Sequence, residues 1–473
     1  MHDYENYDAL GLAELVRNKD VSPAELLDAA LTRAEAAQAR VNCFSALFPD
    51  VARQQIADGL GNGPFAGVPF VLKDLGATVK GQKLTQGSRA YKDVVADYDA
   101  TITERYKAAG FAIFGHTTTP EFGSTTTTES VLFGETRNPW NTERIAGGSS
   151  GGAAAAVASG VVPIAHASDG GGSIRIPAAC CGLFGLKPSR GRMPMGPART
   201  EGWGGFSTVH AVSRSVRDSA ALLDATHGIE TGSRYVAPAP ERPYLEEVGR
   251  DPGKLRVAVW KIAPNGTRPE KEARDGVNQA IKLLRSLGHE IEEASPEIDG
   301  PEVARVLGRM VGAHLAASVE LWGEQRGRPV TEDELEPINW SMIRNAREIT
   351  GIQMARDEVT LQQAAIAYAK LMQTYDVTLS PAITRAPEKL GVLSLSAIDR
   401  GAFVQAISSF PAFCAFYNQT GAPAMSVPLH WTDDGLPLGI MFGAAYGNES
   451  LLFRLAGQLE KARPWFDRRP PKG

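Results

Sequence analysis

Between Ile145 and Pro188 the chain reads IAGGSSGGAAAAVASGVVPIAHASDGGGSIRIPAACCGLFGLKP, and this block limits most strongly what the protein can fold into. It carries two glycine-serine knots, Gly147-Gly148-Ser149-Ser150-Gly151-Gly152 and Gly170-Gly171-Gly172-Ser173. Glycine loses more backbone freedom on folding than any other residue, so three in a row are costly to order. A folded chain keeps them where backbone must approach something closely or where φ must be positive. A run of amides before a serine can converge on one oxygen, as in an oxyanion hole, where one donor contributes about 3–4 kcal/mol in the transition state. A tight turn at a strand end uses the same residues, and the knot alone does not choose between the two.

Around this block the apolar pattern alternates. Val68 to Leu72 is a short apolar run bounded by Gly, Pro and charge, which predicts a buried strand. Residues 100–109 predict a helix, Phe111 to Phe114 a strand, Ala153 to Ser159 a small-residue helix, and Val161 to Ala167 another strand. Strand, helix, strand in alternation indicates an α/β architecture. The first sixty residues read as helical, with a capping box at Ser22-Pro23-Ala24-Glu25 opening the second helix. Beyond a Pro- and Glu-rich connector at 235–252, strands are expected at 255–260, 289–292, 377–379 and 438–442. Helices are expected at 270–287, over most of 302–372, and at 449–463. The expected organisation is one domain over 1–473: a core at about 61–235, a helical lobe at about 236–415, and a part at 416–473 that completes the sheet.

Composition excludes several functions. The net charge is −5 and no block of basic residues occurs, so nucleic acid is not an expected partner. The four cysteines, Cys43, Cys180, Cys181 and Cys414, match no zinc spacing and read as small core residues in a reducing compartment. No run of about eighteen apolar residues exists, so no membrane span is expected. The opening MHDYENYDALGLAELV lacks the pattern of a secretory signal. A soluble cytoplasmic protein is the expectation.

The first knot also fits the G-x-S-x-G pattern, but a nucleophile elbow needs a strand directly before it. The preceding ETRNPWNTERIA is polar and contains Pro139, and no histidine stands in a recognisable catalytic context; His166 reads as a core or supporting residue. A serine can instead be activated by a neutral lysine. That requires a pKa near 7 rather than about 10.4, a change burial can supply. Lys73 follows the apolar run 68–72 and should reach the core, although a snorkelling lysine or one paired with Asp74 would read the same way.

At this point the residues resemble a known family, the amidase signature hydrolases. The similarity lies in GVPFVLKD, GGSSGG, SDGGGSIRIPAACCGLFGLKPSRGR, YNQTGAPAMSVP and GLPLGIMF, and spans roughly residues 25–460. It implies a large mixed central β-sheet flanked by helices, and a Ser–cis-Ser–Lys triad with no metal or organic cofactor. By that resemblance Ser173 is the nucleophile, Ser149 the bridging serine after a cis peptide, and Lys73 the base. Gly170, Gly171, Gly172 and Ser173 supply the oxyanion hole, Asp169 and Arg175 shape the loop, and Ser150 supports the network. The implied partner is a small-molecule amide or carbamate, with esters as a side reaction and a homodimer as the association common among relatives.

Two departures from the family pattern stand out. Gly170 replaces an Ile or Thr, which should make the hole more pliant and widen the space beside the carbonyl. His116-Thr117-Thr118-Thr119 replaces Lys-Thr-Asn in a loop expected near the site. The segments FAGVPF, TRNPWN, SVRDSAALLDA, GRPVTEDELE and RRPP are similar to the branch containing the 6-aminohexanoate cyclic dimer hydrolases. Pocket lining is expected from Glu121 to Thr128, including Phe122 and Thr126. Further lining is expected from Gly202 to Phe206, including Trp203 and Gly204, and from helices around 305–345. Two rival readings share the signature: an amidotransferase-type subunit acting with partner proteins on tRNA, and a non-catalytic scaffold.

Overall fold

The computed structural model describes residues 3–471; the two residues at each end of the expected 1–473 domain lie outside it. The capping box forms as the sequence predicts: Ser22 accepts from the Glu25 amide and Glu25 reaches back to Ser22 at the start of the helix Pro23–Val41. The first sixty residues are not wholly helical, because β1 (Phe44–Leu47) separates that helix from Pro49–Asp58. β2 (Pro69–Lys73) and β3 (Ala112–Thr117) run parallel, with β1 antiparallel to β3, giving a three-stranded sheet. Every residue of β2 and β3 is buried, as expected of continuous apolar runs.

Two short hairpins follow, β4 (Glu129–Ser130) with β5 (Gly134–Glu135), and β6 (Arg137–Asn138) with β7 (Asn141–Ile145). The main sheet then takes β8 (Ile164–Asp169), β9 (Phe184–Lys187), β10 (Thr208–Ser213), β11 (Arg256–Val259), β12 (Glu290–Glu293), β13 (Val377–Pro381), β14 (Ala424–Val427) and β15 (Ile440–Ala444). Their order is β12-β11-β13-β15-β14-β9-β10-β8. The pairs around β11 are parallel and the others antiparallel, so the sheet is mixed. The stretch 236–415 thus contributes three strands to this sheet as well as helices. Its helical part, Gly300–Gln325, Pro337–Ala346 and Gly351–Leu371, packs together against the 203–205 turn.

The two sheets meet where β2 lies beside β8. There the Lys73 amide donates to His166 Nδ1 (3.1 Å) instead of a β8 carbonyl. The helix Gly151–Ala158 is buried on every face, as a helix apolar all round must be, and packs against β2, β3, β8 and β10. Its glycines permit that approach: a Cβ on Gly152 would lie 2.5 Å from the Thr118 amide nitrogen. Among the described residues, no helix is long and apolar enough to cross a membrane.

Candidate active site

Lys73 ends β2 with its side chain fully buried. Its Nζ lies 2.6 Å from Ser149 Oγ and 3.0 Å from Ser168 Oγ. Burial brings its pKa down to about 7, against the opposing pull of the Asp169 carboxylate. Asp74 does not pair with it; that carboxylate turns away and accepts from the Thr85 amide (2.7 Å) and hydroxyl (2.5 Å). An amine this dry and this weakly basic can accept a proton from a hydroxyl at neutral pH.

Ser168 was not among the residues singled out from the sequence. Its position two residues after His166 on β8 gives both side chains the same direction. That alternation is the one signal that could have joined them, because His166 and Ser168 both turn out to bond Lys73. Burial lowers the His166 pKa to about 3, with Lys73 adding to the effect, so its ring is neutral and accepts the Lys73 amide.

The second knot leaves the end of β8 and is held from behind by Asp169. Asp169 Oδ1 accepts from the Gly172 amide (2.7 Å) and Oδ2 from the Ile174 amide (3.1 Å). Arg175 closes on both oxygens (2.9 and 3.0 Å), and both side chains are fully buried. Burial pushes the Asp169 carboxyl up, but Arg175 outweighs it and holds the group well below the usual carboxylate range. Asn418 completes the knot, donating to Asp169 Oδ1 (2.8 Å) and accepting from Arg175 Nη2 (2.7 Å). The Gly172 N–H is directed at Asp169, whereas the amides of Gly170, Gly171 and Ser173 make no turn or loop bond among the described residues.

The first knot carries the cis peptide Gly148–Ser149. Ser150 accepts from the Ser168 amide (3.3 Å) and donates to its carbonyl (3.1 Å), fastening the knot to β8. The polar stretch before it does form a strand, β7, but in a two-stranded hairpin outside the main sheet, and among the described residues no histidine bonds either serine. Ser149 and Ser173 line one cavity of about 310 Å³. Gly123 lies over Ser149, and a Cβ there would meet Ser149 Oγ at 3.0 Å. Among the described residues, no group of three or more His, Cys, Asp or Glu is placed to hold a metal ion.

Phe122 and Trp203 line the cavity, while Thr126 and Gly204 do not. The 125–128 segment passes behind the first knot, where Thr128 Oγ1 accepts from the Gly151 amide (3.0 Å). Gly204 faces the helix Gly300–Gln325: a Cβ there would strike Met310 Cε at 2.7 Å. Thr118 likewise packs against Gly152 of the first knot, and none of His116 to Thr119 lines the cavity. The space expected beside Gly170 is filled. A Cβ on Gly170 would lie 2.7 Å from Trp203 Cε3, so the missing side chain admits the indole against the loop. Trp203 and Phe122 hold φ of +50° and +54°, and Gln86, another lining residue, +54°. Bulky side chains in the left-handed region are strained, and such strain gathers at functional sites.

A profile of the amidase family matches residues 25–453. This chain belongs to that family. The amidase is 38% identical over 475 residues to the 6-aminohexanoate-cyclic-dimer hydrolase of Paenarthrobacter ureafaciens, covering 98% of this chain and 96% of that one. A solved structure of 6-aminohexanoate cyclic dimer hydrolase complexed with substrate superposes with a TM-score of 0.94 at 37% identity, covering 99% of both chains. A bacterial aryl acylamidase of the amidase signature family follows at a TM-score of 0.87 and 26% identity, covering 97% of this chain and 96% of that one. The protein is an amide-cleaving hydrolase of the amidase signature fold.

Proposed function

We propose that this amidase hydrolyses small linear or cyclic amides and anilides, and aryl carbamates, through a Ser173–Ser149–Lys73 triad and an acyl-enzyme. One observation carries the reading: an amine drawn to about pKa 7 by burial stands 2.6 Å from Ser149, which shares a cavity with Ser173. Neutral Lys73 takes the Ser149 proton as Ser149 takes that of Ser173, and Ser173 attacks the carbonyl. The amides of Gly170, Gly171 and Ser173 receive the oxyanion, each donor contributing about 3–4 kcal/mol. Ser149 then returns a proton to the leaving nitrogen, and water attacks the acyl-enzyme by the same relay. Esters are cleaved as a side reaction because an alkoxide leaves more readily than an amide anion. Four buried cysteines, all free, fit a reducing, cytoplasmic setting.

The test is a panel of primary amides, anilides, aryl carbamates and cyclic amides assayed with wild type and Ser173→Ala, together with fluorophosphonate labelling. Wild type should turn over members of the panel and carry the label on Ser173, while Ser173→Ala loses both. Label retained in the variant would move the nucleophile elsewhere.

A further inference from the structure

Two charged side chains, Arg199 and Glu201, line the cavity that holds Ser149 and Ser173, and they differ in how they are satisfied. Glu201 is engaged within the protein, where its Oε1 accepts from Arg234 Nε (2.6 Å). Arg199 is exposed, and among the described residues no carboxylate lies against it: the one ionisable group that acts on it is the Tyr98 hydroxyl. The carboxylate that braces its loop, Glu230, accepts instead from the Gly196 amide (2.8 Å). Two arginines just before it in sequence show the contrast. Arg190 donates to the carbonyls of Gly205 (2.6 Å) and Asn418 (2.8 Å), and Arg192 pairs with Glu449 (3.1 Å).

The guanidinium has a defined place. Its loop is pinned where the Thr101 amide donates to the Gly196 carbonyl (2.9 Å). Protein surrounds the group closely enough to lower its pKa, yet the residue is exposed, and a group both enclosed and accessible faces a cleft. A Cβ on Gly76 would lie 3.6 Å from Arg199 Nη2, and Gly76 lines the cavity as well. Leu75, the residue before it, packs beside the bridging serine: a Cβ on Gly123 would meet Leu75 Cδ2 at 2.8 Å and Ser149 Oγ at 3.0 Å. One wall therefore runs from Ser149 past Leu75 and Gly76 to the guanidinium. His314, in the opposite charge class, is kept neutral because burial lowers its pKa. With Glu201 matched by Arg234, Arg199 is the uncompensated charge of the cavity. A guanidinium stays charged at any working pH, and its planar fork of N–H groups matches a carboxylate in two parallel bonds.

We propose that Arg199 binds a carboxylate on the substrate, carried on a limb remote from the scissile amide. The preferred substrates are therefore anionic amides. The charge sits on the acyl limb in a half-amide of a dicarboxylic acid, and on the amine limb in an N-acyl amino acid. A neutral amide would leave the guanidinium to water and forgo this contact. The inference rests on the reading of Ser173 as the nucleophile in the same cavity, and makes Arg199 a specificity-determining residue.

The experiment uses amides whose acyl or amine limb, in a series of graded length, ends in methyl, methyl ester, carboxylate or ammonium. Binding is measured by calorimetry on Ser173→Ala, and kcat and KM on the enzyme with Ser173 intact, each at low salt and at about 1 M salt. Arg199→Ala, Arg199→Lys and Arg199→Glu are run alongside, with melting temperatures. At a matching limb length the carboxylate-ended member should bind about tenfold tighter than its methyl ester. The preference should appear in KM more than in kcat and shrink at high salt. Arg199→Ala should bring the ratio towards one and Arg199→Lys should keep part of it, while Arg199→Glu should turn the preference towards the ammonium-ended member. The limb on which the preference appears tells a half-amide from an N-acyl amino acid. A parent ratio near one at every length, or a ratio unmoved by Arg199→Ala and Arg199→Glu, would overturn the assignment. The parent ratio and its salt dependence stand even where a variant fails to fold. Selective binding without turnover would sustain this inference and remove the hydrolytic role of Ser173; turnover without selectivity would do the reverse.

Discussion

Two lysines in this protein are buried to the same degree and pulled to the same basicity, yet their surroundings differ. Lys73 and Lys187 are 0% and 1% exposed, and burial lowers both to a pKa of about 7. Lys73 reaches two hydroxyls, Ser149 and Ser168, that line the cavity. Among the described residues Lys187, at the end of β9, donates only to the carbonyl of its neighbour Pro188 (2.7 Å), and Arg175 lowers its basicity further. The comparison separates two things often read together. A depressed pKa reports burial; proton transfer also needs a partner that can hand the proton on to a substrate.

The sharpest way to break this distinction is to remove each amine. Lys73→Met should lower kcat/KM for an anilide by about 10²–10⁴-fold, the range for loss of a general base, with circular dichroism unchanged. Lys187→Met should stay within about tenfold of the parent. Only the neutral amine accepts a proton, so kcat/KM should rise with pH through about 7 and level off above it. That limb should persist in Lys187→Met. Equal losses in the two variants, or a limb that disappears with Lys187, would assign the base wrongly.

The sequence reveals the ends of this arrangement better than its interior. The apolar run 68–72 and the capping box at Ser22 report on local backbone, so β2 and the Pro23–Val41 helix lie where expected. The two knots and Lys73 stand out because glycine runs and a lysine after an apolar strand are costly without a reason, while their roles come from the family resemblance. Ser168 was not legible, since a serine in a small-residue strand carries no such cost, and His166 was legible only as a core or supporting residue. The commitment of Gly172 to Asp169 depends on how the loop turns, and Trp203 against Gly170 on a contact between segments more than thirty residues apart in sequence. The position of Thr118 against Gly152 is likewise a tertiary fact. β2 stands in its own sheet because one side chain, His166, takes the amide that a ladder would use.

Stability gives a second, smaller contrast. In the unfolded chain both lysines return to an ordinary pKa of about 10.4, so between pH 7 and 10.4 that state binds protons the folded one does not. The burial penalty is therefore full below about pH 7 and fades as pH rises towards 10.4. Each amine should account for a gain on the order of 4 kcal/mol across that window. Urea titrations at pH 7 and 9.5 should show this rise in the parent and a smaller one in each Met variant. If Lys187→Met alone left the slope intact, Lys187 would be hydrated in solution and the likeness between the two sites would fail.

The finest test concerns the second hydroxyl on Lys73. Ser168 Oγ lies 3.0 Å from Nζ and accepts most strongly when the amine is charged, so it favours the ammonium. Ser168→Ala should therefore lower the Lys73 pKa and move the kcat/KM limb to lower pH. The rate at the plateau should also fall, by about tenfold, because the amine loses one of the two contacts that aim it at Ser149. Among the described residues Lys187 has no hydroxyl partner to remove, so the same readings in Lys187→Met should show no shift of the limb. A plateau loss without a shift would make Ser168 a packing residue. A shift without a plateau loss would mean that Ser149 alone positions the amine.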